Sequence, residues 1–248
     1  MSFWTSRAQL PEGTAGVPIF SGVHLLWLSA VLLLCGGAVL MFRRLHRPGR
    51  ERALRIAAGA MVFLLLFRLV LLIVSGTFDP SIDLPLHLCD LMVFVEFLTV
   101  FEENRSKKIT AELCWCLGLP GALFALVTPG ETRFPFWNIY YLVFILLHAL
   151  LFLIPLLLAA DGFRPSIRRL PKCFLLLLAA AAGCMALNRL FSGNYLFLNR
   201  APAGSILEVL QQAAGALYLP AVMLLVWAVW GVQYGLGYLI FRLKRKTP

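Results

Sequence analysis

The chain has 248 residues, 60% of them hydrophobic and 14% charged, with a mean hydropathy of +0.85 and a formal net charge of +10. A soluble domain is about half apolar and about a quarter charged, so this composition excludes a soluble enzyme, a disordered chain and a disulfide-stapled secreted domain. It describes an all-α polytopic membrane protein, where ~20 residues per span leave room for about seven spans and no loop is long enough for a second domain.

Seven spans are predicted in one membrane domain, at about 19–42, 53–76, 84–101, 110–127, 135–159, 172–191 and 214–241. The first is full length and stops at Arg43-Arg44-Leu45-His46-Arg47, so it does not read as a cleaved signal peptide. Of the 22 Lys and Arg residues, 17 fall in the connections after spans 1, 3 and 5, at the adjoining inner ends of spans 2 and 6 (Arg55 and Lys172) and in the C-terminal tail. Only three fall in the N-terminal segment and the other connections. Basic residues stay on the cytoplasmic side, so the expected topology is N-terminus outside and C-terminus cytoplasmic, in the cell membrane. The sequon Asn104-Arg105-Ser106 then lies on the wrong side for glycosylation.

Residues 205–212 read either as a short amphipathic helix on the outer surface, with Ile206, Leu207, Val209 and Leu210 toward lipid, or as an ordinary loop. Trp4, Trp137, Tyr140, Tyr218, Trp230 and Tyr234 read as interface anchors. The basic loops suit anionic headgroups. No nucleic-acid-binding fold is visible, so no nucleic-acid partner is expected.

Cys35, Cys89, Cys114, Cys116, Cys173 and Cys184 all fall within apolar segments or at their ends, and no disulfide is expected. Cys114 and Cys116 face about 200° apart on a helix, which makes them poor partners for a metal. No metal and no cofactor is implied. The five lysines lie in loops, at the inner edge of span 6 or in the tail, so a retinal Schiff base is not available.

Ionisable groups inside spans are costly and point to function by default. Arg68 lies about 12 Å from the outer end of span 2, Asp90 about 9 Å and Glu96 about 18 Å into span 3, at 1.5 Å per residue. His148 is near the middle of span 5, and His24 and Arg189 lie near the outer ends of spans 1 and 6. Most belong to the outer half, so one outward-opening polar pocket is the economical arrangement. Arg68 and Asp90 are expected to pair between spans 2 and 3.

The segment Asp83-Leu84-Pro85-Leu86-His87-Leu88-Cys89-Asp90 is the densest chemistry in the chain. Asp83 suits a helix N-cap and Pro85 a first turn. At about 100° per residue, Asp83, His87 and Asp90 share a face, whereas Cys89 points about 200° from His87, toward the face of Glu96. A base for Cys89 would therefore come from another span, and His148 is the other deep histidine. The alternatives are a cysteine that fills space and a histidine that fixes helix packing. The second polar motif, Asn188-Arg189 with Gly193-Asn194, is either a capping turn or a site where Arg189 and Asn194 bind a headgroup phosphate.

These pieces carry a resemblance. Leu84-Pro85-Leu86-His87-Leu88-Cys89, residues 118–129, His148 and Asn194-Tyr195-Leu196-Phe197-Leu198 followed by Pro202 resemble the YwaF-type bacterial integral membrane family. The likeness covers nearly all the chain and includes the seven-span layout, and it implies a bacterial source. That family is similar to the eukaryotic transmembrane protein 164 family of lipid acyltransferases. The resemblance implies Cys89 as acyl carrier, His148 as its base and a membrane phospholipid as partner. Asp90 directly follows the cysteine here, a departure from the eukaryotic pattern.

The leading expectation is thus a membrane-embedded lipid acyltransferase or esterase. Cys89 and His148 would be catalytic, His87 would aid the oxyanion or orient substrate, and Arg68, Asp90, Arg189 and Asn194 would line the substrate site. The alternatives are a small-molecule or proton-coupled transporter using the buried charges, and a sensor or assembly protein without chemistry.

Overall fold

A computed structural model describes residues 3–11, 13–14, 16–102, 107–129 and 134–246, with side chains through residue 238. The described residues are helical and contain no strand. The helices are α1 (Gly22–Arg44), α2 (Arg47–Val74), α3 (Leu88–Phe101), α4 (Lys107–Leu113), α5 (Leu119–Val127), α6 (Ile139–Ala160), α7 (Leu170–Phe191), α8 (Ile206–Ala214) and α9 (Tyr218–Lys246). The sequon at 104–106 lies outside the described residues.

Among the described residues, six helical runs are long and apolar enough to cross a membrane: Gly22–Arg44, Arg47–Val74, Lys107–Val127, Ile139–Ala160, Ile167–Phe191 and Ile206–Tyr238. Their outward faces are leucine-rich; Leu26, Leu33 and Val74 are 74%, 75% and 80% exposed. Such a surface is unfavourable in water and suits hydrocarbon. The core lies around α6, whose residues from Tyr140 to Leu158 are buried on nearly every side. A helix apolar all round belongs inside a bundle, and α6 packs on α1, α2, α3 and α5.

The third predicted span differs from expectation. Its helix begins at Leu88, not at 84, and has 14 residues, about 21 Å at 1.5 Å per residue. His87 is the N-cap residue. Asp83 caps nothing in α3; its carboxylate accepts from the Asp79 N–H at 2.8 Å and closes the 79–83 turn. Pro85 biases Leu84 away from helical geometry, and the Leu84 N–H is taken by the Tyr195 hydroxyl at 3.1 Å. The helical-wheel placement of Asp83 and His87 beside Asp90 therefore does not hold.

The fourth predicted span is one run of 21 residues, Lys107–Val127, broken by a π-helical turn at Cys114–Gly118. There the Leu119 N–H reaches back to the Cys114 carbonyl. A π-turn leaves neighbouring carbonyls short of partners, and α9 supplies them. Gln233 donates to the Trp115 carbonyl and Trp230 to the Cys116 carbonyl, both at 2.7 Å. Cys114 turns to Thr99 at 3.4 Å, and Cys116 turns to Cys173. All six cysteines are free thiols.

This stitching corrects part of the aromatic reading. Trp4 and Trp137 are exposed, as interface anchors should be. Trp230, Tyr140 and Tyr218 are buried. Tyr218 donates to the Phe197 carbonyl, and Tyr234 donates to Glu112. Their polar tips are needed by buried acceptors, so they face inward. Residues 205–212 do form a helix, α8, capped by Ser205, with Ile206 and Val209 outward.

Candidate functional site

The polar groups gather at the end of the bundle that carries the N-terminal segment. That segment packs there, with Leu10 and Val17 against Trp27, Leu72, Leu126 and Phe134. The Ile139 N–H donates to the Phe3 carbonyl, and Asn138 donates to that of Thr5. Of the histidines noted in the spans, His24 is fully used: its Nδ1 accepts from the Phe20 N–H at 2.8 Å and its Nε2–H donates to the Leu126 carbonyl at 3.0 Å. It joins α1 to α5 and has no nitrogen left for chemistry.

Two motifs distant in sequence meet here. Tyr195 is fully buried and clamped by Asn188, which accepts from its N–H at 2.6 Å and donates to its carbonyl at 3.0 Å. Its hydroxyl donates to the Pro80 carbonyl at 2.6 Å and accepts from Leu84 N–H. The His87 ring rests on Tyr195 and Phe197, with centroids 5.2 and 5.0 Å away. Tyr195 thus fixes the non-helical stretch ahead of Cys89. In the same turn, hydrogen bonds from the Ser81 side chain and then from its N–H hold the Asp79 carboxyl below the usual range, while partial burial raises that of Asp83.

Three residues of the 192–197 loop, Ser192, Leu196 and Phe197, hold φ between 54° and 56°. Such left-handed non-glycine conformations cost about 1–2 kcal/mol each and persist where surroundings over-determine them. Asn194 spends its side chain inside this loop, donating to the Arg200 carbonyl and accepting from the Asn199 and Arg200 N–H groups. Arg189 is exposed on α7. Gly193 is required by close approach: a Cβ there would sit 2.8 Å from the Ser81 carbonyl oxygen and 3.1 Å from the Tyr195 ring. Gly193→Ala is expected to lower stability by about 1–3 kcal/mol, the usual range for overpacking, read as a fall in thermal midpoint against Gly183→Ala, where a Cβ meets nothing.

Below this cap, α2, α3 and α6 each contribute to the candidate site. Arg68 pairs with Asp90 at 3.1 Å, with the Asp90 side chain 5% exposed and that of Arg68 30%; this is the pair expected from depth alone. Cys89, half-buried, opens α3 beside Asp90. His148 is buried on α6, against the Phe144 ring at 4.2 Å. His148 Nδ1 lies 2.8 Å from the Phe144 carbonyl. A carbonyl only accepts, so Nδ1 carries the proton and Nε2 holds the lone pair, which is the base form of a neutral imidazole. Two buried atoms here, Arg68 Nε and His87 Nδ1, find no partner among the described residues. Two surface grooves, one between α1 and α6 and one at the start of α2, lie away from this cluster.

At the other end, the sequence reading passed over Glu112. It is fully buried, and its carboxylate receives Arg169 at 2.7 Å, the Ser166 N–H at 3.0 Å and the Tyr234 hydroxyl. A carboxylate inside a predicted span was the available signal. Glu96 is fully buried as well, and neither of its oxygens has a hydrogen-bond partner among the described residues.

An all-helical exterior of leucine, several spanning helices and an interior ion pair define a multi-pass membrane protein with a polar site inside the bundle. The chain belongs to the TMEM164 family, whose model matches residues 19–234. No curated protein and no solved structure gave a match.

Proposed function

We propose that this protein is a membrane-embedded, cysteine-dependent lipid acyltransferase or esterase, with Cys89 as acyl carrier and His148 as base. Family membership supports a lipid-related role. The observation that carries the reading is the state of His148, whose Nδ1 is tied to the Phe144 carbonyl and whose Nε2 is left basic. In this reading His148 Nε2 takes the Cys89 thiol proton as the sulfur attacks the carbonyl carbon of a phospholipid ester. The tetrahedral oxyanion collapses, the ester C–O bond breaks, and the lysolipid oxygen takes the proton from His148. Cys89 is left as a thioester. An acceptor alcohol, or water, then attacks with His148 taking its proton, and the thiolate leaves and regains a proton.

His87, with an unpartnered ring nitrogen, would donate to the oxyanion. Arg68 and Asp90 would hold the site's polarity, Arg189 would meet the headgroup phosphate, and Asn194 would shape the loop beside it. The non-helical residues 84–87 and α3 together would make a seventh crossing. That gives the N-terminus outside and the C-terminus cytoplasmic in a bacterial plasma membrane, as the basic loops require.

The test is intact mass spectrometry of protein purified from its own membranes and incubated with phospholipid, beside Cys89→Ala, before and after neutral hydroxylamine. A fatty-acyl mass present in wild type, absent in the variant and removed by hydroxylamine is expected. An unmodified wild-type mass, with no loss of phospholipid ester over the incubation, would overturn the reading.

A further inference from the structure

Among the described residues, three carboxylates lie buried within this bundle, and they are treated differently. Asp90 has Arg68. Glu112 has Arg169, the Ser166 N–H and Tyr234. Glu96, on α3, has no exposed surface, and neither oxygen has a hydrogen-bond partner among the described residues. An isolated charge in a packed interior costs several kcal/mol or more. The same position is crowded by design of the backbone: Gly118 closes the π-turn, and a Cβ there would stand 2.6 Å from Glu96 Oε1 and 3.4 Å from the Met92 methyl. The chain is brought against the carboxyl by a π-turn, a local geometry that recurs at functional sites, and the close approach at Oε1 leaves no space for a side chain on Gly118.

The titratable groups around it supply no charge to pair. Cys89 lies two turns back on α3, and Cys114 is on the facing π-turn. Arg68 on α2 is engaged by Asp90, and His148 on α6 gives its Nδ1 proton to Phe144.

We propose that Glu96 is a proton-binding site: it is carried in the folded bundle as a neutral carboxylic acid, pressed against Gly118, and can lose its proton only when the π-turn moves and admits water. This stands apart from the acyl-transfer reading, since Glu96 takes no part in the steps at Cys89.

The test is infrared spectroscopy of the full chain in phospholipid nanodiscs, in H₂O and D₂O, from mildly acidic to mildly alkaline buffer. The expected result is a carbonyl stretch of a protonated carboxylic acid that persists across that range and exchanges slowly. It should be absent in Glu96→Gln and displaced in Gly118→Ala, whose methyl must push on Oε1. Glu96→Gln should fold with a thermal midpoint at or above wild type, because the amide copies the shape and neutrality of the acid. The proposal is overturned by a carboxylate band that disappears in Glu96→Gln, or by failure of that variant to fold, since either means a charged Glu96 held by a cation.

Discussion

His148→Gln is expected to slow formation of the Cys89 thioester by about 10²–10⁴-fold, the usual worth of a positioned general base. The loss should not come from unfolding. The hydrogen bond given up is the one from Nδ1 to the Phe144 carbonyl, and one neutral hydrogen bond is worth about 1 kcal/mol net. Wild type and variant are compared by the rate of acyl-mass appearance under identical phospholipid, with thermal midpoints measured in parallel. A rate within a few-fold of wild type, in a folded protein, would remove His148 from the reaction. The choice of His148 over the other histidines has a concrete basis. Both ring nitrogens of His24 are engaged in joining α1 to α5, and His87 stands as the N-cap residue of α3, packed on Tyr195 and Phe197.

The second large effect lies at the opposite end and concerns folding. Glu112→Gln places an amide N–H among groups that themselves donate: Arg169, the Ser166 N–H and the Tyr234 hydroxyl. Removing one partner of a buried ion pair strands the rest and costs about 3–5 kcal/mol. For a chain of this size that corresponds to a fall in thermal midpoint of roughly 6–15 °C. The control is Glu51→Gln, whose partner Arg47 is 89% exposed and whose pairing is an i,i+4 surface contact, worth about 0.5 kcal/mol at most. Equal shifts in the two variants would show that the Glu112 cluster contributes no more than a surface pair. The contrast with Glu96 is instructive: of two fully buried glutamates, the same Gln substitution should cripple one fold and spare the other. Only their partners differ.

The same distinction marks how far the sequence alone reached. Hydropathy and length are local properties, so the long apolar helices and the basic ends follow directly from residue order, whereas α8 is one of two readings of residues 205–212 and the structure decides for the helix. Depth is nearly local too, because each residue of a helix advances the chain by a fixed rise; that is why depth alone pairs Arg68 with Asp90. The stretch 84–87 departs from the expected helix although its signals, Asp83 and Pro85, satisfy the local rules for a helix start. The outcome was decided by the Tyr195 hydroxyl, 111 residues away in sequence, taking the Leu84 N–H. The π-turn at Cys114–Gly118 depends likewise on Trp230 and Gln233 of α9 to satisfy the carbonyls it frees.

Sequence by itself therefore determined that this is a multi-pass membrane protein, roughly where most of its long helices run, and that polar groups such as Arg68, Asp90 and His148 lie inside them. The tertiary structure decided which of those residues are satisfied and which are not: His24 and Glu112 fully partnered, His148 left with one basic nitrogen, Glu96 with no partner for either oxygen. Burial and pairing are properties of neighbours brought together across the whole chain. No window of sequence contains the atoms that decide them.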